Sequence, residues 1–336
     1  MLFARADLRA VVPPALDTAL FDVDGVLIDT TRSYRLAVIH ATDRLVRTVQ
    51  GLPDAPAPLL TPEGVALFKR AGGFNNDWHL TRMLTALWTA RLREWRGTAE
   101  AAVALEEWAE RAAVAAQARR GGLAWMHAAF PPSAIPGADV ARWAEDEFYW
   151  GAALIQQHYA HTPRYAPDAA GFVHNEELLL PADLFPALLR ADVTKLGLIT
   201  GRVGPEVGWA VSRLVAGSGL AAGAAWRDGP GGPSPFAVIV SGEAFAKPDP
   251  AALAHALRAV GARGAVFIGD TADDLDLVLR YRAELLPRDA GLPPCVAVVI
   301  ASRADAPVFA ARGADVVIEH VRDLPRVLTA LRAART

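Results

Sequence analysis

The residues of this chain that could do chemistry fall into four short groups. Asp22 and Asp24, one residue apart, close the apolar run Ala19-Leu20-Phe21 and lead into Gly25. Thr200-Gly201 ends a second apolar run, and Lys247-Pro248-Asp249 follows a third. Gly269-Asp270 ends a fourth, with Asp273 and Asp274 just beyond. Carboxylates of this kind attack an electrophile, pass protons or hold a hard cation. A hydroxyl and an ammonium group add the means to hold an anion. Each group alone has a plainer reading as a turn, a strand exit or a helix entry. Ionic side chains are costly at the end of a buried strand unless something balances them. Four such ends, bearing acids, a hydroxyl and a lysine, argue for one shared site.

The elements that would position them read as strand–helix alternation. Strands are expected at Ala19–Phe21, Lys195–Thr200, Phe236–Val240, Ala265–Ile268, Val296–Ile300 and Asp315–Ile318. Helices are expected at Pro181–Ala191, Val203–Ala216, Ala251–Val260, Asp273–Tyr281, Asp305–Arg312 and Leu324–Arg332. Such alternation predicts an α/β fold: a Rossmann-like three-layer core with a parallel sheet between helices. Ligands of such a sheet bind beyond the carboxyl ends of its strands, where all four groups fall.

The first strand belongs to this sheet, yet a right-handed crossover needs only about a dozen residues plus a helix. The long interval from Asp24 to Thr200 must therefore hold an inserted domain. It is alanine-rich and helical, with candidates at Ser33–Val49, from Thr61-Pro62-Glu63 to Gly72-Gly73, over Leu80–Trp95, at Thr98–Arg120 and at Asp139–Tyr159. Leu80, Met83, Leu84, Leu87, Trp88, Leu92 and Trp95 recur at helical spacing. The organisation read from this is a core of residues 1–30 and 176–336 and an all-helical cap of 31–175. The tryptophans of the insert are expected to pack its interior. His158 and His161 share one predicted helix face but lack a third metal ligand nearby, so they read as surface or interfacial. The leader, residues 1–17, carries little signal.

Composition narrows the classes. The chain is 52% hydrophobic and 21% charged with a net charge of −3, a globular balance that argues against nucleic acid or another polyanion as partner. The single cysteine, Cys295, lies in an apolar run and is expected to be a buried thiol in a reducing cytoplasm. No run approaches the ~20 apolar residues of a membrane helix, and the N-terminus lacks a signal-like apolar stretch. The expectation is a cytoplasmic protein with no membrane partner. Nothing in the sequence specifies its oligomeric state.

Asp22-Val23-Asp24-Gly25-Val26, Thr200-Gly201, Lys247-Pro248-Asp249 and Gly269-Asp270-Thr271-Ala272-Asp273-Asp274 together resemble the four motifs of the haloacid dehalogenase superfamily. Their order and spacing are similar to the subfamily with a helical cap inserted after the first motif. Lys69-Arg70-Ala71-Gly72-Gly73-Phe74-Asn75-Asn76-Asp77-Trp78 resembles a segment of a poorly characterised phosphatase clade within it.

The resemblance implies a Mg²⁺-dependent phosphatase acting on a small soluble phosphate monoester through an aspartyl-phosphate. A sugar phosphate or a phosphoglycolate-like ester would be a fitting substrate. Asp22 would be the nucleophile. Asp24 would donate a proton to the leaving alcohol and take one from the hydrolytic water. Dehalogenases and phosphonate hydrolases of the superfamily lack an acid at this second position. Thr200 and Gly201 would bind phosphoryl oxygens, and Lys247 would neutralise charge on nucleophile and phosphate. Asp22, the Asp24 carbonyl and Asp270 would hold Mg²⁺, with Asp274, or alternatively Asp273, as the further acid. In the cap, Lys69, Arg70, Asn75 and Asn76 would read the leaving group, the alternative being an ordinary helix–helix turn with an Asn or Asp cap. Arg202 is read as reaching substrate or solvent. The competing functions are a sugar phosphomutase of the same superfamily and a non-catalytic module that binds a phosphorylated metabolite.

Overall fold

The protein is described from a computed structural model, which covers residues 1–55, 59–71, 76–95, 122–221 and 227–335. The expected Thr98–Arg120 helix lies outside the described residues. The chain folds as two compact units, Met1–Asp29 with Glu177–Thr336, and Thr30–Glu176.

The first unit is built on a seven-stranded sheet. Its strands are β1 (Phe3–Ala4), β2 (Thr18–Phe21), β5 (Lys195–Ile199), β6 (Phe236–Val240), β7 (Ala265–Gly269), β8 (Cys295–Ile300) and β9 (Val316–Ile318), in the spatial order β1-β9-β8-β7-β2-β5-β6. All neighbours run parallel except β1, which pairs antiparallel with β9 through Phe3↔Val317 and Ala4↔Val316. This edge strand lies in the leader that carried little sequence signal. Two residues are too few to show a period, so only the β9 edge defines it.

From β2 the chain adds strands to one side, β5 then β6, and afterwards returns to the other side for β7, β8 and β9. The switch point thus lies at β2, where open parallel sheets bind ligands. Every residue of β2 is buried, as continuous apolar runs in two-faced sheets demand. Cys295 is buried in β8, and burial pushes its thiol up to about 12. A second ladder, β3 (Ile28–Asp29) against β4 (Glu177–Leu178), joins the segments that leave and re-enter this unit, pairing Asp29 with Glu177.

The Thr30–Glu176 unit carries α1 (Tyr34–Thr48), α2 (Pro62–Ala71), α3 (Asp77–Trp95) and α4 (Ala138–Tyr159), with a further helical stretch over 122–129. α1 packs on α3 and α4, and α3 on α4. The periodic residues Leu80, Met83, Leu84, Leu87 and Trp88 are all buried in the cluster that also holds Val38 and Val65. Trp88 and Trp150 are buried, and Trp125 and Trp143 are half-buried, so the tryptophans described there pack rather than form an open face.

α4 bends at Gly151, whose φ of +77° leaves the helical range. There Ala152 N–H donates instead to Ala169 O at 2.9 Å. A Cβ on Gly171 would stand 2.2 Å from the Trp150 carbonyl oxygen, so two glycines let these backbones meet. α4 ends at Tyr159, so His158 and His161 do not share a helix face. His161 stacks on Trp143 at 3.9 Å and bonds Glu147 at 2.8 Å, while His158 packs on Trp150.

In the first unit, α5 (Leu184–Arg190), α6 (Pro205–Gly217), α7 (Pro250–Ala259), α8 (Ala272–Arg280), α9 (Ala306–Arg312) and α10 (Leu324–Arg335) alternate with the strands. The expected fold class is observed: α/β, a largely parallel sheet, and a helical region inserted after the first core strand. Among the described residues no helix is long and apolar enough to cross a membrane.

Candidate functional site

β2 sets the position of the site. Phe21 is level with Leu198 of β5 and Ile268 of β7, each one residue short of its strand's end, so Asp22 stands just past the end of β2 and at the rim of its two neighbours. Its N–H extends the ladder by donating to Ile268 O at 2.8 Å. The chain then turns tightly. Gly25 N–H donates to Ile28 O, and Leu27 and Ile28 N–H both donate to Val23 O. Gly25 has φ +73°, and a Cβ there would lie 2.1 Å from Asp270 Oδ2. Only glycine lets this turn pass under the Asp270 carboxylate.

Asp270 and Asp274 are placed by the start of α8. Thr271 caps the helix: its Oγ1 accepts from Asp274 N–H at 3.2 Å, while Asp274 Oδ2 accepts from Thr271 N–H at 3.0 Å. This capping box satisfies donors otherwise left open at a helix start. Asp274 Oδ2 also accepts from Thr271 Oγ1 at 2.6 Å, and its Oδ1 from Lys247 Nζ at 2.7 Å. A carboxylate this well furnished is a fixed part of the site. It separates Asp274 from Asp273: Asp274 joins Asp22 and Asp270 in a group whose carboxylate oxygens lie within 4.8 Å of one another, and Asp273 does not.

Lys247, at a cis Lys247–Pro248 bond, brings its Nζ to 2.8 Å from Asp22 Oδ1 as well, an ion pair whose angle departs from that of a hydrogen bond. Burial opposes its charge, yet Asp22 and Asp274 together raise its pKa above the usual lysine value. Asp22 is pushed up to about 7, first by burial and then by Asp274 and Asp24, against the pull of Lys247. Asp270 is pushed well above the usual carboxylate range, by burial and then by Asp274 and Asp22. Asp270 Oδ1 is buried and accepts no hydrogen bond.

The residues suit a divalent cation. The donor set is oxygen only, Asp270 Oδ1 is buried without a partner, and two of the three crowded acids share one lysine. Each feature matches a hard cation such as Mg²⁺ and none is favourable without one.

Thr200 is buried at the end of β5, and its N–H donates to Val240 O at 2.9 Å. Gly201 follows it, exposed. Asp24 has a half-buried side chain bound to Arg202, whose Nε and Nη2 both donate to Asp24 Oδ1, at 2.9 and 2.8 Å. Arg202 is therefore buried and paired rather than solvent-facing. Sequence reading missed this pairing, because only the β2–β5 adjacency brings positions 24 and 202 together.

The predicted leaving-group readers fare differently. Lys69 and Arg70 fall in the last turn of α2, but their side chains lie outside the described residues, as does Asn75. Asn76 is exposed before α3, and its Oδ1 accepts from His79 N–H at 3.0 Å, the cap alternative.

No protein-family model and no curated protein sequence matches the chain. Solved structures do. One is the phosphatase Tt82 from Thermococcus thioreducens, 24% identical with a TM-score of 0.58, the match covering 94% of this chain and 98% of that one. Another, from the Northeast Structural Genomics Consortium, is 16% identical with a TM-score of 0.54, over 95% of this chain and all of the other.

Proposed function

We propose that this chain, whose fold is that of the haloacid dehalogenase-like hydrolases with a helical insert, is a Mg²⁺-dependent phosphatase acting on a small phosphate monoester. The observation that carries the reading is the Asp22–Asp270–Asp274 group closed by Lys247 at the switch point of the sheet. Its likeness in fold to a protein described as a phosphatase adds support.

In this reading Asp22 attacks phosphorus, the ester oxygen departs, and an aspartyl-phosphate forms on the side chain. Asp24 gives a proton to the departing alcohol and then takes one from the water that cleaves the aspartyl-phosphate. Thr200 and the Gly201 amide hold phosphoryl oxygens, and Lys247 offsets charge on Asp22 and the phosphoryl group. Asp22, Asp270 and the Asp24 carbonyl would hold Mg²⁺, with Asp274 as the further acid. When bound, the cation screens the repulsion between a carboxylate and a phosphate dianion. The substrate class is a sugar phosphate or a phosphoglycolate-like ester.

Phosphate release from a panel of esters with and without Mg²⁺ tests the reading. Wild type should turn over at least one ester only with the cation, and Asp22→Asn should lose about 10⁴-fold or more in kcat. Undiminished turnover by that variant would refute Asp22 as nucleophile. Silence of wild type across the panel would return the chain to the class of ligand-binding modules.

A further inference from the structure

Arg202 is among the largest fully buried side chains of the protein, with its side chain only 1% exposed. A buried guanidinium is costly to desolvate and persists where it is paired. Both contacts to Asp24 fall on one oxygen, Oδ1, which leaves Oδ2 outside the pair. The Asp24 side chain is 28% exposed, so this carboxylate spans from a buried anchor to an accessible edge.

The anchor itself is held at its backbone. Arg202 N–H donates to Thr200 Oγ1 at 3.2 Å, and Arg202 O accepts from Gly242 N–H at 3.0 Å. The three residues Thr200-Gly201-Arg202 thus form one tied turn at the end of β5, beside the turn that carries Asp24 at the end of β2.

We infer that Arg202 is a positioning residue for Asp24: it holds Oδ1 and thereby aims Oδ2 at the leaving oxygen and, in the second half-reaction, at the water. The inference rests on the reading of Asp24 as the acid–base group. An unheld aspartate samples several χ1 and χ2 wells, and both proton transfers need one. A planar fork reaching a single oxygen from two nitrogens fixes that choice in a way a lysine cannot. The same turn would then set two parts of the reaction together: Thr200 and Gly201 locate the phosphoryl group, and Arg202 locates the acid opposite the bond that breaks.

The test compares Arg202→Met, Arg202→Lys and Asp24→Asn on two esters under saturating Mg²⁺. One is an alkyl phosphate, whose leaving group needs a proton; the other is a nitrophenyl phosphate, whose leaving group does not. Arg202→Met should lower kcat/KM, which reports the steps up to release of the alcohol, by about 10–100-fold on the alkyl ester and far less on the aryl ester. Arg202→Lys should fall between Arg202→Met and wild type. In an Asp24→Asn background, Arg202→Met should cost under about twofold, since the group it positions is already lost.

Equal losses of kcat/KM on both esters, or the same loss with and without Asp24, would mean that Arg202 serves only the fold and would overturn the inference. Should the Arg202 variants fail to fold, the Nε–H resonance of Arg202 in Asp24→Asn gives the answer. A shift from its wild-type position supports the pair, and an unmoved signal refutes it. Failure of the phosphatase reading is seen separately, as absence of Mg²⁺-dependent turnover in wild type.

Discussion

Two groups of buried carboxylates, one in each unit of this protein, are treated in opposite ways. In the helical unit, Glu147 is fully buried near the middle of α4, yet its Oε2 accepts from the N–H groups of Arg164, Tyr165 and Ala166, and its Oε1 bonds His161. Asp146 accepts from Trp78 Nε1 at 2.8 Å and faces Arg142. Burial still pushes Asp146 up to about 6, against the pull of these donors. These acids staple the loop 160–171 and α3 to α4. In the sheet unit, Asp22 and Asp274 share one lysine, and a buried oxygen of the neighbouring Asp270 has no partner. A buried acid is therefore not by itself a sign of function. A shortage of partners is, because evolution has no structural reason to keep a crowd of like charges in a dry place.

The comparison is broken most severely by removing Lys247. Lys247→Met takes away the one ammonium between Asp22 and Asp274, and should destabilise the cation-free protein by about 3–5 kcal/mol in urea unfolding. Turnover should fall by at least about 10²-fold. In the other unit, Glu147→Ala strands three backbone N–H groups and should cost about 3 kcal/mol by the same measurement. It should leave intact the gain in stability on adding Mg²⁺. If that gain vanished, the contrast between stapling acids and cation-holding acids would fail.

Magnesium and pH sharpen the contrast on a finer scale. Free Mg²⁺ at about 100 times its dissociation constant should add about 2.7 kcal/mol, read as a rise in melting temperature that a chelator reverses. The sign of the pH effect follows from Asp22. Its folded carboxyl, at about 7, binds a proton more tightly than the unfolded one. This favours the fold at low pH, and the benefit is lost as pH climbs from the usual carboxylate range through about 7. The cation-free protein should thus lose stability over that span, and Mg²⁺ should restore more near pH 8 than near pH 5. An equal Mg²⁺ effect at both would show that Asp22 does not hold the cation.

Much of this was legible in the residues. Apolar runs closed by turn signals located β2, β5, β6, β7 and β8, because a strand buried on both faces has almost no other composition open to it. The same runs placed Asp22, Thr200 and Asp270 at strand ends, since the polar residue that ends such a run must leave the sheet. Helical period exposed the buried stripe of α3. Other features were hidden for equally physical reasons. β1 is two residues long and takes its conformation from a neighbour more than 300 positions away. The Gly151 bend depends on a second glycine, Gly171, arriving from a loop. His161 looked like the helix-face partner of His158, and only the end of α4 at Tyr159 separates them.

What the sequence determined alone was therefore the local vocabulary: which segments are strands, which are helices, and which polar residues end them. Period and composition encode these because they answer to neighbours along the chain. The tertiary structure decided the pairings. It chose Asp274 over Asp273 through the capping box with Thr271, left Asp270 short of a partner, and set Arg202 against Asp24. Those outcomes depend on strand order and register, through which a residue meets groups hundreds of positions distant. Charge balance is a property of that assembled neighbourhood, and no run of residues carries it.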